Sequence, residues 1–196
     1  MRPSGTFSKG GRRAAAILVA AAALAVVSGP APAWAKVFLT QEEALKLAFP
    51  GEPDPARRTA FLTDDQAARV ETLSGEKPPT RVVTYYEGRA GTAYFDTHLV
   101  RTLPETVMVV VTPAGAIGRI DILSFNEPEE YLPRPRWMAQ LPGRSLDEDL
   151  SLKKGVHPLT GATLSARALV ACSRRVLALH RVIQTPPEKT PGAPHP

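Results

Sequence analysis

Four β-forming stretches follow one another between Arg81 and Phe125 with only short turns between them. Arg81–Glu87 is rich in Val and Tyr, and Gly88–Gly91 turns the chain. Thr92–Arg101 alternates loosely. Thr106–Thr112 carries Val107, Val109, Val110 and Val111 almost without interruption. Pro113-Ala114-Gly115 makes the next turn, and Ile117–Phe125 sets Ile117, Arg119 and Asp121 against Gly118, Ile120 and Ile122. Turns this short join antiparallel neighbours, since a parallel return needs a crossover of roughly a dozen residues or more. The segment reads as an antiparallel meander, and its flanks must cover a sheet.

The flanks carry helical patterns. Lys36–Phe49 reads as a helix with Leu39, Leu45, Leu47 and Phe49 loosely on one face, and Thr40 with Glu43 resembles a capping box. The prolines at 50, 53 and 55 end it. Thr63–Leu73 reads as a second short helix with Thr63 as N-cap and Ala67, Val70 and Leu73 on one stripe. Ser74–Pro79 is a loop. Asn126–Pro135 is polar and Pro-rich, Trp137–Leu141 has the character of a helical turn, and Asp147–Asp149 reads as a solvated acidic face. Ser165–Ile183 is the strongest helix: Leu169, Val170, Val176, Leu177 and Ile183 form a core stripe, with Arg167, Arg174, Arg175 and Arg181 outward or at the rim. The sum is an α+β fold, an antiparallel sheet with short N-terminal helices and a long C-terminal helix.

A length of 196 residues, 43% hydrophobic and 22% charged, supports one domain with a packed core. The formal charge of +5 points toward nucleic acid until its position is considered. Four of the 24 basic groups (Arg2, Lys9, Arg12, Arg13) precede residue 36, where there is no acid. The rest, with 19 acids, lies within one charge of neutrality, so no overall field collects phosphates and no nucleic-acid partner is expected. Residues 1–35 read as a secretory signal: a basic start, an apolar run Ala14–Val27, and Ala33-Trp34-Ala35 fitting the A-x-A cleavage rule. The run is short of the roughly 20 residues of a spanning helix, so cleavage after Ala35 is the first reading and a retained N-terminal anchor the second. Either places residues 36–196 outside the cytoplasm, in the periplasm of a two-membrane cell. One cysteine, Cys172, excludes an internal disulfide framework and any CxxC site. Cys172 reads as a small core residue, and His98, with no metal-spaced partner in sequence, receives no role. Residues 184–196, rich in proline, read as a disordered tail.

The stretch that carries chemistry is His157-Pro158-Leu159-Thr160-Gly161-Ala162-Thr163-Leu164-Ser165, where a Pro-containing loop enters the long helix. Backbone N–H groups at a helix start are unpaired and favour anions, and small residues permit close approach of a phosphate. A hydroxyl there can carry a phosphoester; equally, Thr163 or Ser165 can act as a simple N-cap.

Thr160-Gly161-Ala162-Thr163 with Leu164-Ser165 resembles the flavinylation motif of the FMN-binding domain family, found in the small extracytoplasmic subunits of sodium-pumping NADH:quinone reductases and related ferredoxin-oxidising complexes. In that family a flavin transferase links the phosphate of FMN to the last threonine of Asp-x-x-Ser/Thr-Gly-Ala-Thr/Ser. The resemblance implies Thr163 as acceptor, with Thr160, Gly161, Ala162, Leu164 and Ser165 around it. His157 stands where the motif carries Asp, a departure that leaves the hydroxyl and small residues in place. Glu105–Val111, Gly118–Phe125, Glu127–Tyr131 and Trp137 resemble the sheet and preceding loop of short family members, so the likeness covers residues 80–183. Residues 36–79 are an N-terminal helical segment without a counterpart.

From the resemblance follow a covalent FMN, Glu127, Tyr131 and Trp137 as candidate ring neighbours, and the role of an exported electron carrier rather than a self-sufficient enzyme. Its partners would be a flavin transferase for maturation and extracytoplasmic or membrane donors and acceptors such as cytochromes. Flavin joins two-electron donors to one-electron carriers, and a covalent tether prevents its loss outside the cell. The alternative is a non-redox binding or assembly module that keeps the fold without flavin. A hydrolase using His157 with Thr160, Thr163 or Ser165 is weaker, because the pattern places no orienting acid.

Overall fold

The computed structural model describes residues 36–185. The signal-peptide reading of residues 1–35, and the tail from 186 on, lie outside the described residues. Gln184, assigned above to the tail, is the last residue of the C-terminal helix.

Six strands form one antiparallel sheet: β1 (Lys36–Val37), β2 (Ala56–Phe61), β3 (Val82–Gly88), β4 (Gly91–Leu99), β5 (Pro104–Val111) and β6 (Ile117–Phe125). The order is β1-β6-β5-β4-β3-β2, so the meander expected from the turns is present and β1 returns beside its last strand. β5 is buried on both faces. Val107, Val109 and Val111 join one core with the long helix, while Met108 and Val110 join a second with Ala44, Ala48 and Phe49. A strand covered on both sides needs no polar alternation, which explains the unbroken valine run.

Two helical layers cover these faces. α1 (Gln41–Ala48) lies on one; on the other, α4 (Thr163–Gln184) is covered in turn by α2 (Asp64–Ser74). Both short helices start at reciprocal caps. Thr40 Oγ1 accepts from Glu43 N at 3.2 Å while Glu43 Oε2 accepts from Thr40 N at 2.8 Å, and Thr63 with Gln66 repeats the pattern at 3.2 and 3.0 Å. The first helix therefore begins at Gln41, and Lys36–Val37 before it is strand, not helix.

Three further expectations are corrected. Residues 36–79 are not a helical segment throughout: β2 lies within them, and its Ala-Arg-Arg-Thr-Ala-Phe, a sheet edge exposed almost throughout, shows no alternation to mark it as a strand. The alternation in β6 is broken by bulges: Val111 pairs with Ile117 but Val110 with Arg119, which leaves Gly118 as the extra residue and turns Ile117 and Ile120 to the same face. Arg175 faces neither outward nor the rim; it is buried beneath α4.

Truncating Met108, fully buried on the central strand, to Ala is expected to cost about 2–5 kcal/mol in urea unfolding. Phe61→Ala, at a position 75% exposed on the β2 edge, should stay within about 0.5 kcal/mol.

Candidate functional site

The site is built where a loop enters α4. Leu159 O accepts from Ala162 N at 3.2 Å, closing a turn in which Gly161 sits at φ +84°, a region glycine adopts without steric cost. The loop is held from behind: Trp137 Nε1 donates to His157 O at 2.7 Å, and His157 N donates to Gln140 Oε1 at 2.8 Å. Trp137 belongs to the short helix α3 (Pro135–Met138) and lies buried in the main core.

α4 begins without a side-chain cap. Its N-cap is Ala162, and the first intrahelical bond runs from Ala166 N to Ala162 O at 3.0 Å. The N–H groups of Thr163, Leu164 and Ser165 thus stand at the positive end of a 22-residue helix with no intrahelical acceptor. The capping alternative is excluded by this geometry. Thr163 Oγ1 instead donates back to Leu159 O at 3.2 Å and stays exposed. Ser165 Oγ is buried at 1% exposure with no hydrogen-bond partner. A buried hydroxyl left unpaired carries a desolvation cost that an incoming acceptor would remove.

A cleft of about 230 Å³ opens at this helix start, lined by Gly161–Ser165 on one side and by Val100, Arg101, Glu127 and Tyr131 on the other. The second wall is held by one carboxylate oxygen. Glu127 Oε1 accepts from the backbone N–H of Thr102 at 2.7 Å, Leu103 at 2.9 Å and Arg101 at 3.2 Å, all in the β4–β5 turn. These bonds, that from Thr102 foremost, hold the Glu127 carboxyl below the usual carboxylate range.

Of the candidate residues, the structure gathers Thr163, Gly161, Ala162, Leu164, Ser165, Glu127 and Tyr131 around the cleft. Thr160 and His157 are exposed on the entering loop and do not line it. Trp137 does not line it either; as a core residue bonded to His157 O, it supports the loop from inside. Sequence reading missed Val100 and Arg101, since nothing local links a β-turn to a helix start some 60 residues later. 

It also missed a buried ionic cluster beneath α4. Arg175 grips Asp96 with both arms, Nε to Oδ2 at 2.9 Å and Nη2 to Oδ1 at 2.6 Å. His98 Nδ1 lies 2.9 Å from Asp96 Oδ1, and His98 Nε2 lies 3.2 Å from Glu105 Oε2. Cys172 packs against the same imidazole. Burial alone would lower the His98 pKa; its hydrogen bonds to Asp96, Cys172 and Glu105 outweigh burial and raise it to about 11. Burial also opposes charge on Asp96, yet His98 and Arg175 hold it down at about 2. Burial pushes the Cys172 thiol up to about 11 and raises the Glu105 carboxyl. Alternation within β4, placing Asp96 and His98 on one face, was the available signal.

No protein-family model, no curated protein and no solved structure matches this chain. No helix among the described residues is long and apolar enough to cross a membrane.

Glu127→Gln should loosen the β4–β5 turn, costing about 1–3 kcal/mol and accelerating amide exchange at Arg101, Thr102 and Leu103. Because the folded carboxyl is depressed, its contribution is complete above the unfolded value of about 4.5 and fades as pH falls through the lower folded value. The wild-type turn should open in acid, with the variant showing a flatter pH profile below 4.5. Arg175→Leu should cost about 3–5 kcal/mol in denaturant unfolding, because it leaves the Asp96 charge buried without its partner.

Proposed function

We propose that this chain is an exported flavoprotein electron carrier, with FMN esterified through its phosphate to Thr163. The reading is carried by one coincidence. Gly161, Ala162 and Thr163 of the motif singled out in sequence line the same cleft to which Glu127 and Tyr131 contribute from the far side.

The residues present fit such a group. Thr163 is exposed, so a transferase can reach its hydroxyl. The uncapped helix start, the orphaned Ser165 Oγ and the Arg101 side of the cleft supply donors and positive charge suited to a phosphate. Thr163 Oγ would carry the ester, Leu164 and Ser165 N–H with Ser165 Oγ would hold the phosphate oxygens, and Tyr131 would offer an aromatic wall. The cleft, at about 230 Å³, is smaller than the roughly 300 Å³ at which pockets begin to enclose a whole small molecule. It would seat one part of the group and leave an edge open to a partner, which an electron carrier requires. When bound, the flavin supplies one- and two-electron exchange between extracytoplasmic or membrane donors and acceptors such as cytochromes.

The test is coexpression of the full chain with a flavin transferase, followed by denaturation. The chain should stay yellow and fluorescent, its mass should rise by one FMN less one water, and Thr163→Ala should lose both signals. Colour retained by that variant moves the acceptor elsewhere, and a wild-type chain that stays unmodified in its own host sinks the proposal. His157→Asp should raise occupancy if the transferase reads an acid at that position.

A further inference from the structure

We propose that Asp96, His98 and Cys172 form a site for one thiophilic divalent metal ion of the zinc class, with Glu105 as the outer partner of His98. One carboxylate oxygen, one imidazole nitrogen and the thiol sulfur of these three residues lie within 4.8 Å of one another. Asp96 and His98 stand two apart on β4 and share a face, while Cys172 reaches them from α4 across the core. Carboxylate, imidazole and thiolate are the three donor types zinc takes, and around a tetrahedral ion they stand roughly 3–4 Å apart. Small side-chain adjustments close the set on an ion without moving either element.

Glu105 is the independent observation. It is fully buried, its Oε2 faces His98 Nε2 at 3.2 Å, and its Oε1 has no partner. A metal-bound imidazole normally donates its other N–H to a carboxylate, which fixes tautomer and ring orientation. With Nδ1 turned to Asp96, Nε2–H is left for Glu105. Arg175 holds both Asp96 oxygens; Oδ1 also meets His98 Nδ1, while Oδ2 has no second partner and keeps a lone pair for an ion.

Thiolate and neutral imidazole are the ligating forms, so uptake of the ion releases protons. An opening of about 360 Å³ reaches the edge of the cluster at His98 and Arg175. The inference does not rest on the flavin reading. Cys172 lies nine residues along α4 from Thr163, about 13 Å down the axis, so metal uptake and flavin loading are measured separately.

The full chain is titrated with Co²⁺ and then with Zn²⁺, following absorbance and bound metal. One Co²⁺ per chain should bind, with a sulfur-to-cobalt charge-transfer band in the near ultraviolet and the visible bands of a four-coordinate ion, all bleached by Zn²⁺. The chain has a single cysteine, so a thiolate band identifies Cys172 without any variant. Cys172→Ser should lose that band; Glu105→Gln should keep it and weaken affinity about 10–100-fold. A folded wild-type chain that takes up neither ion overturns the proposal, as does uptake without the sulfur band or uptake unchanged in Cys172→Ser.

Discussion

The grip of Arg175 on Asp96 sets the position of α4, and most of what is chemically interesting depends on that position. Apolar contacts alone would let a long helix slide or rotate on a sheet, because dispersion and burial are not directional. A two-armed guanidinium–carboxylate pair inside the core is directional, and misalignment would leave two desolvated charges unmatched. Such a pair adds little net stability over an apolar substitute. Its consequence is geometric: α4 is held in one register on β4.

That register brings the start of α4 to the end of β4. The cleft exists because Gly161–Ser165 and the Val100–Arg101 turn meet there, and Glu127 stiffens the turn by collecting three of its backbone N–H groups on one oxygen. On the opposite side, Trp137 and Gln140 clamp the loop through His157 backbone atoms. Both walls are therefore braced from the protein side. The helix-start residues Thr163, Leu164 and Ser165 line the opening between them, and Ser165 Oγ lies buried without a partner.

Local signals were read well. Thr40 with Glu43 and Thr63 as N-cap marked two helix starts, and turns at Gly88–Gly91 and Pro113–Gly115 marked the meander. The failures share a cause: the deciding partner lay far away in the chain. Arg175 looked solvent-facing because helical spacing cannot show an aspartate 79 residues earlier. His98 looked idle because Asp96, Glu105 and Cys172 meet it only after β4, β5 and α4 assemble. Trp137 looked like a site aromatic because its buried bond to the loop backbone has no sequence signature.

By itself the sequence determined the α+β class, the antiparallel order of the central strands, the capped starts of the short helices and the place of the small-residue turn before α4. These rest on caps, turns and periodicities that act within a few residues. Tertiary structure decided which side of the turn faces a cleft, which hydroxyl is exposed and which is buried, and which ionisable groups share the core. Those outcomes depend on how far elements are brought together and on how water is excluded between them, and no short-range pattern encodes either.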